Sequence, residues 1–156
     1  MYFAGIVLFI AFLVFSAIIS GSIAFFIDLP SILIILSFTI PMLMASGLFT
    51  DFIRGFKIMG NKVNLWSKIE LNKTEIALSL AIKLLLFSGL LGSIIGMISI
   101  LASLSNLSKI GPNLAVSFLT MLYSVLFVFM LLPVQSKVKA MILSMDKEYI
   151  DEKSAN

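Results

Sequence analysis

Cysteine and histidine are both absent from the 156 residues. Without cysteine the chain has no disulfide and no thiolate chemistry. Without histidine it lacks the commonest general base and the commonest metal ligand. Charge is scarce as well. Only 12% of residues are Asp, Glu, Lys or Arg, against about 25% in a typical soluble domain. No charge occurs from Met1 to Ile27, from Leu29 to Thr50, from Leu84 to Ser108 or from Ile110 to Ser136. No Walker motif or other nucleotide fingerprint is present, so nothing in the chain supports ATP-driven work.

What is there instead is hydrocarbon. The chain is 60% hydrophobic, with a mean hydropathy of +1.15. A helix needs roughly 20 apolar residues to cross a bilayer core, and each uncharged stretch reaches or approaches that length. These runs predict an all-α integral membrane protein with four transmembrane helices, at about 2–22, 31–50, 80–103 and 113–134. No short alternating segments point to a membrane barrel. The first run has no basic stretch before it and is too long for the core of a cleavable signal peptide. It is therefore expected to stay as a span.

The loops set the expected orientation. Arg54, Lys57, Lys62, Lys68 and Lys73 lie between spans two and three, and Lys137, Lys139, Lys147 and Lys153 follow span four. The other two loops hold only Asp28 and Lys109. The positive-inside rule puts the 51–75 loop and the tail in the cytoplasm, so both termini are expected there. Residues 1–139 then hold the four expected spans and their loops, and 140–156 form a tail of mixed charge expected to fray. The 51–75 loop mixes basic residues with Phe56, Ile58, Met59 and Trp66, which suits the lipid headgroup region. Its sharper reading is a docking site built on Arg54, Lys57 and Trp66. Asn72 with Glu75 three residues on has the form of a capping box opening the third span. Lys83, near the cytoplasmic end of that span, is expected to snorkel to the headgroups.

Small residues recur with helical spacing. Ser88, Gly92, Gly96, Ser99 and Ser103 are spaced by four, four, three and four, and Gly89 lies beside them. Such spacings stack residues on one helix face, and small faces let membrane helices approach closely. Asn113, Ser117, Thr120 and Ser124 form a second, polar stripe on span four. Hydroxyls in hydrocarbon need partners, either in a tight interface or in the water of a lumen. Periodicity alone leaves both open. A lumen would form between several copies, with spans three and four inward. The first two spans show no comparable stripe and are expected to face lipid.

No span contains Asp, Glu or His. Proton translocation needs a group that changes charge inside the membrane, and serine and threonine hydroxyls do not titrate near neutral pH. If the chain conducts protons, another chain must bring the carboxylate.

GSIAFFIDLPSILIILSFT (21–39) followed by LFTDFIRGFKIM (48–59), GLLGSIIGMI (89–98), and Gly111, Pro112, Ala115, Val116, Leu119, Thr120, Leu122, Tyr123 and Pro133 of the fourth span resemble, in order, motifs of the MotA/TolQ/ExbB proton-channel family. The four-span count is closest to the MotA flagellar stator branch. The resemblance implies a homo-pentameric ring around a dimer of a single-span, aspartate-bearing partner like MotB, TolR or ExbD. It implies the bacterial inner membrane and proton or sodium flow that drives rotation or movement, with no enzymatic activity and no cofactor beyond the transported ion. By resemblance Ser93 stands for the third-span threonine and Thr120 keeps the fourth-span one, so both are expected to line the ion path, with Ser117, Ser124 and Asn113 added to it as members of the same fourth-span stripe. Ser88, Gly89, Gly92, Gly96 and Ser99 pack helices. Pro133 is a hinge or a helix terminator. The sequence departs from the family pattern in lacking a large cytoplasmic domain between spans two and three. It also has Leu86 for a proline, Met121 for a second threonine and Ser124 for a glycine. The alternative expectation is a non-conducting scaffold that anchors a partner. A self-contained carrier is disfavoured, because the spans carry no charge beyond Lys83 near one end, and no inverted repeat.

Overall fold

The computed structural model describes residues 2–21, 26–60, 66–102, 104 and 107–155. These residues form five α-helices and no strand: α1 (Tyr2–Ile19), α2 (Leu29–Ala45), α3 (Phe49–Gly60), α4 (Lys68–Ala102) and α5 (Leu107–Ala155). Among them α4 and α5 are each long and apolar enough to cross a membrane. The helices α2 and α3 pass the same test only as a pair, bent by 107°. Ala4–Ile19 is apolar but shorter.

The boundaries follow from local chemistry. Asp28 caps α2, its carboxylate accepting from the Ser31 N–H at 3.0 Å, and Pro30 occupies the first turn, where a missing N–H costs nothing. The helix stops at Ser46, and Gly47 at φ +72° turns the chain. That left-handed conformation suits glycine. The expected second span at 31–50 is therefore corrected: it ends at Ala45, and residues 49–60 turn away as an amphipathic helix. The reason lies in Asp51, Arg54 and Lys57, which cannot continue a run through hydrocarbon.

The expected capping box at Asn72 and Glu75 is also corrected. Both residues lie inside α4. The box is formed by Ser67 and Glu70 instead: Ser67 N–H donates to Glu70 Oε2 at 2.9 Å, and Glu70 N–H donates to Ser67 Oγ at 3.3 Å. Serine and glutamate three apart fit the same rule, and the helix begins at the earlier of the two matches.

At the other end, Pro133 does not terminate α5, which runs on to Ala155. A proline removes one helical hydrogen bond, and a helix of 49 residues held along its flank tolerates that loss. The tail is helical through Ala155, and its first residues Met141, Ile142 and Met145 pack on the core.

Helices α4 and α5 form a long antiparallel hairpin. Buried residues recur at steps of three and four: Leu71, Thr74, Leu78, Ala81, Leu85, Ser88 and Gly92 on α4, and Ser117, Thr120, Ser124, Val128, Leu131, Val134, Val138 and Met141 on α5. Such spacing lines up one face of each helix as a continuous packing seam. It is apolar in the half that carries α3 and polar in the half that carries the start of α2. Helix α2 packs on both partners through Ser31, Ile35, Thr39 and Leu43, one face at steps of four. Helix α3 lies across the other half. Gly55 meets Leu78, and Lys137 Nζ donates to the Ile58 carbonyl at 3.1 Å, closing the end of α3. Gln135 and Lys139 of α5 both bind Glu75 of α4, at 3.1 and 3.3 Å, and Lys68 pairs with Asp146. Helix α1 rests more loosely on α5, with Phe9 against Phe129 at 5.7 Å. Its outward Phe12 and Phe15 are each more than 60% exposed.

Candidate functional site

The close approach of α4 and α5 is made by three glycines, each facing a hydroxylated residue. A Cβ added to Gly89 would come 2.2 Å from Ser124 Cβ. One on Gly92 would come 2.4 Å from Thr120 Cγ2, and one on Gly96 would come 2.7 Å from Ser117 Cβ. The two stripes read from the sequence thus meet each other in antiparallel register. Glycine is needed here for space rather than for backbone freedom, since ordinary carbon contacts are about 3.5–4.0 Å.

At this spacing the hydroxyls reach across. Ser124 Oγ donates to the Leu85 carbonyl at 2.7 Å. Ser117 Oγ donates to the Ser93 carbonyl at 2.8 Å and lies 3.1 Å from Ser93 Oγ. Thr120 Oγ1 lies 2.7 Å from the Val116 carbonyl and 3.0 Å from Ser31 Oγ of α2. Ser88 Oγ meets Thr39 Oγ1 at 3.0 Å. Ser93, Ser117, Thr120 and Ser124 are no more than 2% exposed in the single chain. Every one of these groups has a partner, as buried hydroxyls require.

The remaining sequence-selected residues lie elsewhere. Asn113 is half-buried, and with Gly92, Gly96 and Ser99 it lines a small cavity of about 140 Å³ at the mouth of the seam. Ser99 is exposed and donates to its own helix at Ile95 O, and Ser103 lies outside the described residues. Pro133 is exposed and borders a cavity beneath α1 with Gly5, Ile6 and Phe9. Arg54 and Trp66 come together, the guanidinium 5.7 Å from the ring centroid. Arg54 also pairs with Asp51 at 2.5 Å and reaches the Glu70 carbonyl at 3.4 Å. Lys57 is exposed in the last turn of α3, and Lys83 is exposed on α4. Lys62 lies outside the described residues.

The capping serine holds the Glu70 carboxyl below the usual glutamate range, first through its backbone N–H and then through its hydroxyl. This group stands ten residues before the apolar part of α4.

The expectation that the first two spans carry no polar stripe is corrected for α2. Ser31 and Thr39 face the seam, and both are buried. The signal was present as Ser31, Ile35, Thr39 and Leu43 at steps of four, hidden because two members are aliphatic. Tyr123, a residue of the fourth-span motif, has a contact that its place in the sequence does not reveal. Its hydroxyl donates to the Phe26 carbonyl and accepts from the Asp28 N–H at 3.0 Å, fixing the segment that enters α2. Asp28 is half-buried, and its Oδ2 accepts from Ser31 Oγ at 2.5 Å.

The model of the MotA/TolQ/ExbB proton channel family matches residues 62–150, more than half of the chain. That range includes the whole glycine–hydroxyl seam between α4 and α5. No curated protein matches the sequence.

Proposed function

Because the chain belongs to the MotA/TolQ/ExbB proton channel family, we propose that it is the ion-channel subunit of a stator-type complex, nearest in kind to MotA. In this reading the chain spans the bacterial inner membrane four times with both termini in the cytoplasm. It assembles as a pentamer around a dimer of a single-span partner of the MotB, TolR or ExbD kind. Ion flow past the partner's membrane aspartate then drives movement of one component against the other. The chain does no covalent chemistry and needs no cofactor beyond the transported proton or sodium ion.

One observation carries the reading. The family match covers the two long apolar helices, and their seam is rich in hydroxyls but holds no carboxylate or imidazole. No Asp, Glu or His occurs from Leu84 to Ser108 or from Ile110 to Ser136. Hydroxyls orient water and relay hydrogen bonds, but the charge-changing step needs a titratable group. A channel wall of this composition calls for a partner that supplies one. We assign Ser93, Thr120, Ser117, Ser124 and Asn113 to the ion path. Since the first four are sealed between helices in one chain, α4 and α5 must part for ions to reach them.

The rival is a non-conducting scaffold. It draws on the same bonds, because a seam fully satisfied within one chain already accounts for its glycines and hydroxyls as packing. Two measurements separate the readings. The first is native mass determination on tagged protein drawn gently from membranes. A pentamer holding two copies of a single-span, aspartate-bearing protein is expected, whereas a monomer or dimer without it would overturn the channel reading. The second is proton flux into vesicles carrying the complex. Thr120→Val with Ser93→Ala is expected to abolish flux while assembly persists, and undiminished flux would remove those residues from the path.

A further inference from the structure

A cavity of about 420 Å³ lies at the elbow between α2 and α3. Leu36 and Ile40 of α2, Phe49, Phe52 and Phe56 of α3 and Ala81 of α4 line it, and α5 completes the wall. Thr39 is the single hydroxylated or charged residue in that wall, and its Oγ1 is held by Ser88 Oγ at 3.0 Å. Water does not fill such a space, because it needs two to four polar partners and apolar cavities stay dry. Left empty, the wall forfeits the dispersion contacts of its lining atoms. The volume falls in the range of ligand sites, about 300–1,000 Å³. Hydrocarbon is what this wall matches.

The elbow sets the depth of the cavity. Helix α2 is apolar to Ala45, and α3 turns from it by 107° and carries Asp51, Arg54 and Lys57. Those charges keep α3 at the membrane surface, lying along it as an amphipathic helix. Phe49, Phe52 and Phe56, at steps of three and four, share one face of α3, and that face roofs the cavity. Ile40 and Phe56 are 39% and 45% exposed, so the cavity is open at the edges of α2 and α3. A lipid tail can enter there while its headgroup stays beside α3.

The headgroup supplies the selection. A tail gains little by exchanging one hydrocarbon surrounding for another, since lipid is as apolar as the wall. On α3, Asp51 is paired with Arg54. Lys57 follows Phe56 directly, is exposed, and has no ion pair among the described residues. The surplus charge at the open edge is therefore positive. We propose that the elbow cavity holds an acyl chain of an anionic phospholipid whose phosphate sits against Lys57. Such a lipid would touch the hydroxyl seam through Thr39. That this contact bears on ion flow rests on the channel reading above; the binding itself does not.

The test uses fluorescence quenching by brominated acyl chains, with the full chain in nanodiscs of phosphatidylcholine and phosphatidylglycerol. Bromine is carried by one lipid or by the other at equal fractions. Trp66 is the only tryptophan, so Trp66→Phe gives a silent background. Phe52→Trp then reports on the cavity, and Phe12→Trp, on the exposed side of α1, reports on bulk lipid. The readout is the ratio of quenching by brominated phosphatidylglycerol to quenching by brominated phosphatidylcholine, which cancels differences in depth. At Phe52→Trp the ratio is expected to reach up to about fivefold, the worth of one basic residue at an anionic surface, and at Phe12→Trp about one. Lys57→Gln is expected to bring the cavity ratio to about one. Ala81→Phe and Leu36→Phe fill the cavity from two helices and are expected to do the same; circular dichroism shows whether each folds, so the loss of one leaves the other. Equal ratios at the two tryptophans, or a high cavity ratio that survives Lys57→Gln or both filling variants, would overturn the proposal. Phe56→Cys, in a chain without other cysteines, tests the rival occupant: an inter-copy disulfide with a cavity ratio of one would give the space to a second copy instead.

Discussion

Replacing Gly89 with alanine adds one methyl group at the tightest point between α4 and α5. The new Cβ would lie 2.2 Å from Ser124 Cβ and 2.5 Å from its Oγ. Ordinary carbon contacts are about 3.5–4.0 Å, so the helices must part there by about 1.5 Å. Overpacking of this kind costs about 1–3 kcal/mol. The Ser124 Oγ bond to the Leu85 carbonyl, now 2.7 Å, would break, and a hydrogen bond between membrane helices is worth about 0.6 kcal/mol. Alanine recovers up to about 1 kcal/mol through its better helix propensity. The net expectation is a destabilisation of about 1–3 kcal/mol. The assay is reversible denaturation in mixed micelles followed by circular dichroism, with Gly5→Ala as the control. Gly5 has nothing within 4 Å of an added Cβ, so that variant should match or exceed the natural protein. A Gly89→Ala protein as stable as the Gly5→Ala protein would refute the close seam.

The chain contains no cysteine, so a Ser93→Cys, Ser117→Cys double variant, whose oxygens lie 3.1 Å apart, should form an intrachain disulfide on mild oxidation, visible by mass spectrometry. If ions reach the seam by its opening, that bond should stop flux and reduction should restore it; flux unaffected by the closed bond would contradict the opening. Lys137→Met should release the Ile58 carbonyl at the end of α3, at a cost of about 0.5–1.5 kcal/mol. Faster hydrogen exchange confined to α3 is the expected sign, and unchanged exchange would show that the contact does not hold the helix. Because Glu70 has a carboxyl pKa below its unfolded value, its contribution is fully present above the unfolded pKa and fades as pH falls through the folded one. Exchange in the first turn of α4 should rise over that acid range, and Glu70→Gln should flatten the dependence; an equal rise in both proteins would remove Glu70 as its cause.

The all-helical class, the positions of the two long apolar helices and the two small-residue stripes could be read directly from the chain. They depend on local quantities: hydrocarbon run length, and steps of three and four that any α-helix converts into a face. The family motifs on α4 and α5, which lie within the matched residues 62–150, could be read for the same reason, each being confined to one short segment. Helix ends were less legible. The boxes at Ser67–Glu70 and Asn72–Glu75 satisfy the same local rule, and helix α4 starts at the first. The persistence of α5 through Pro133 to Ala155 depends on Val138, Met141 and Met145 finding α3 and α4 beside them. A sequence window cannot contain that contact.

The partners of the hydroxyls were decided only in three dimensions. Nothing local pairs Gly89 with Ser124, Gly92 with Thr120 or Gly96 with Ser117, because that register is set by the hairpin between α4 and α5. Nothing local brings Ser31, eighty-nine residues away, to Thr120. The sequence determined that polar faces exist inside an apolar protein, since composition and spacing are properties of the chain alone. Tertiary structure decided what those faces touch, since a hydrogen bond of about 3 Å depends on the separation of helices far apart in the sequence.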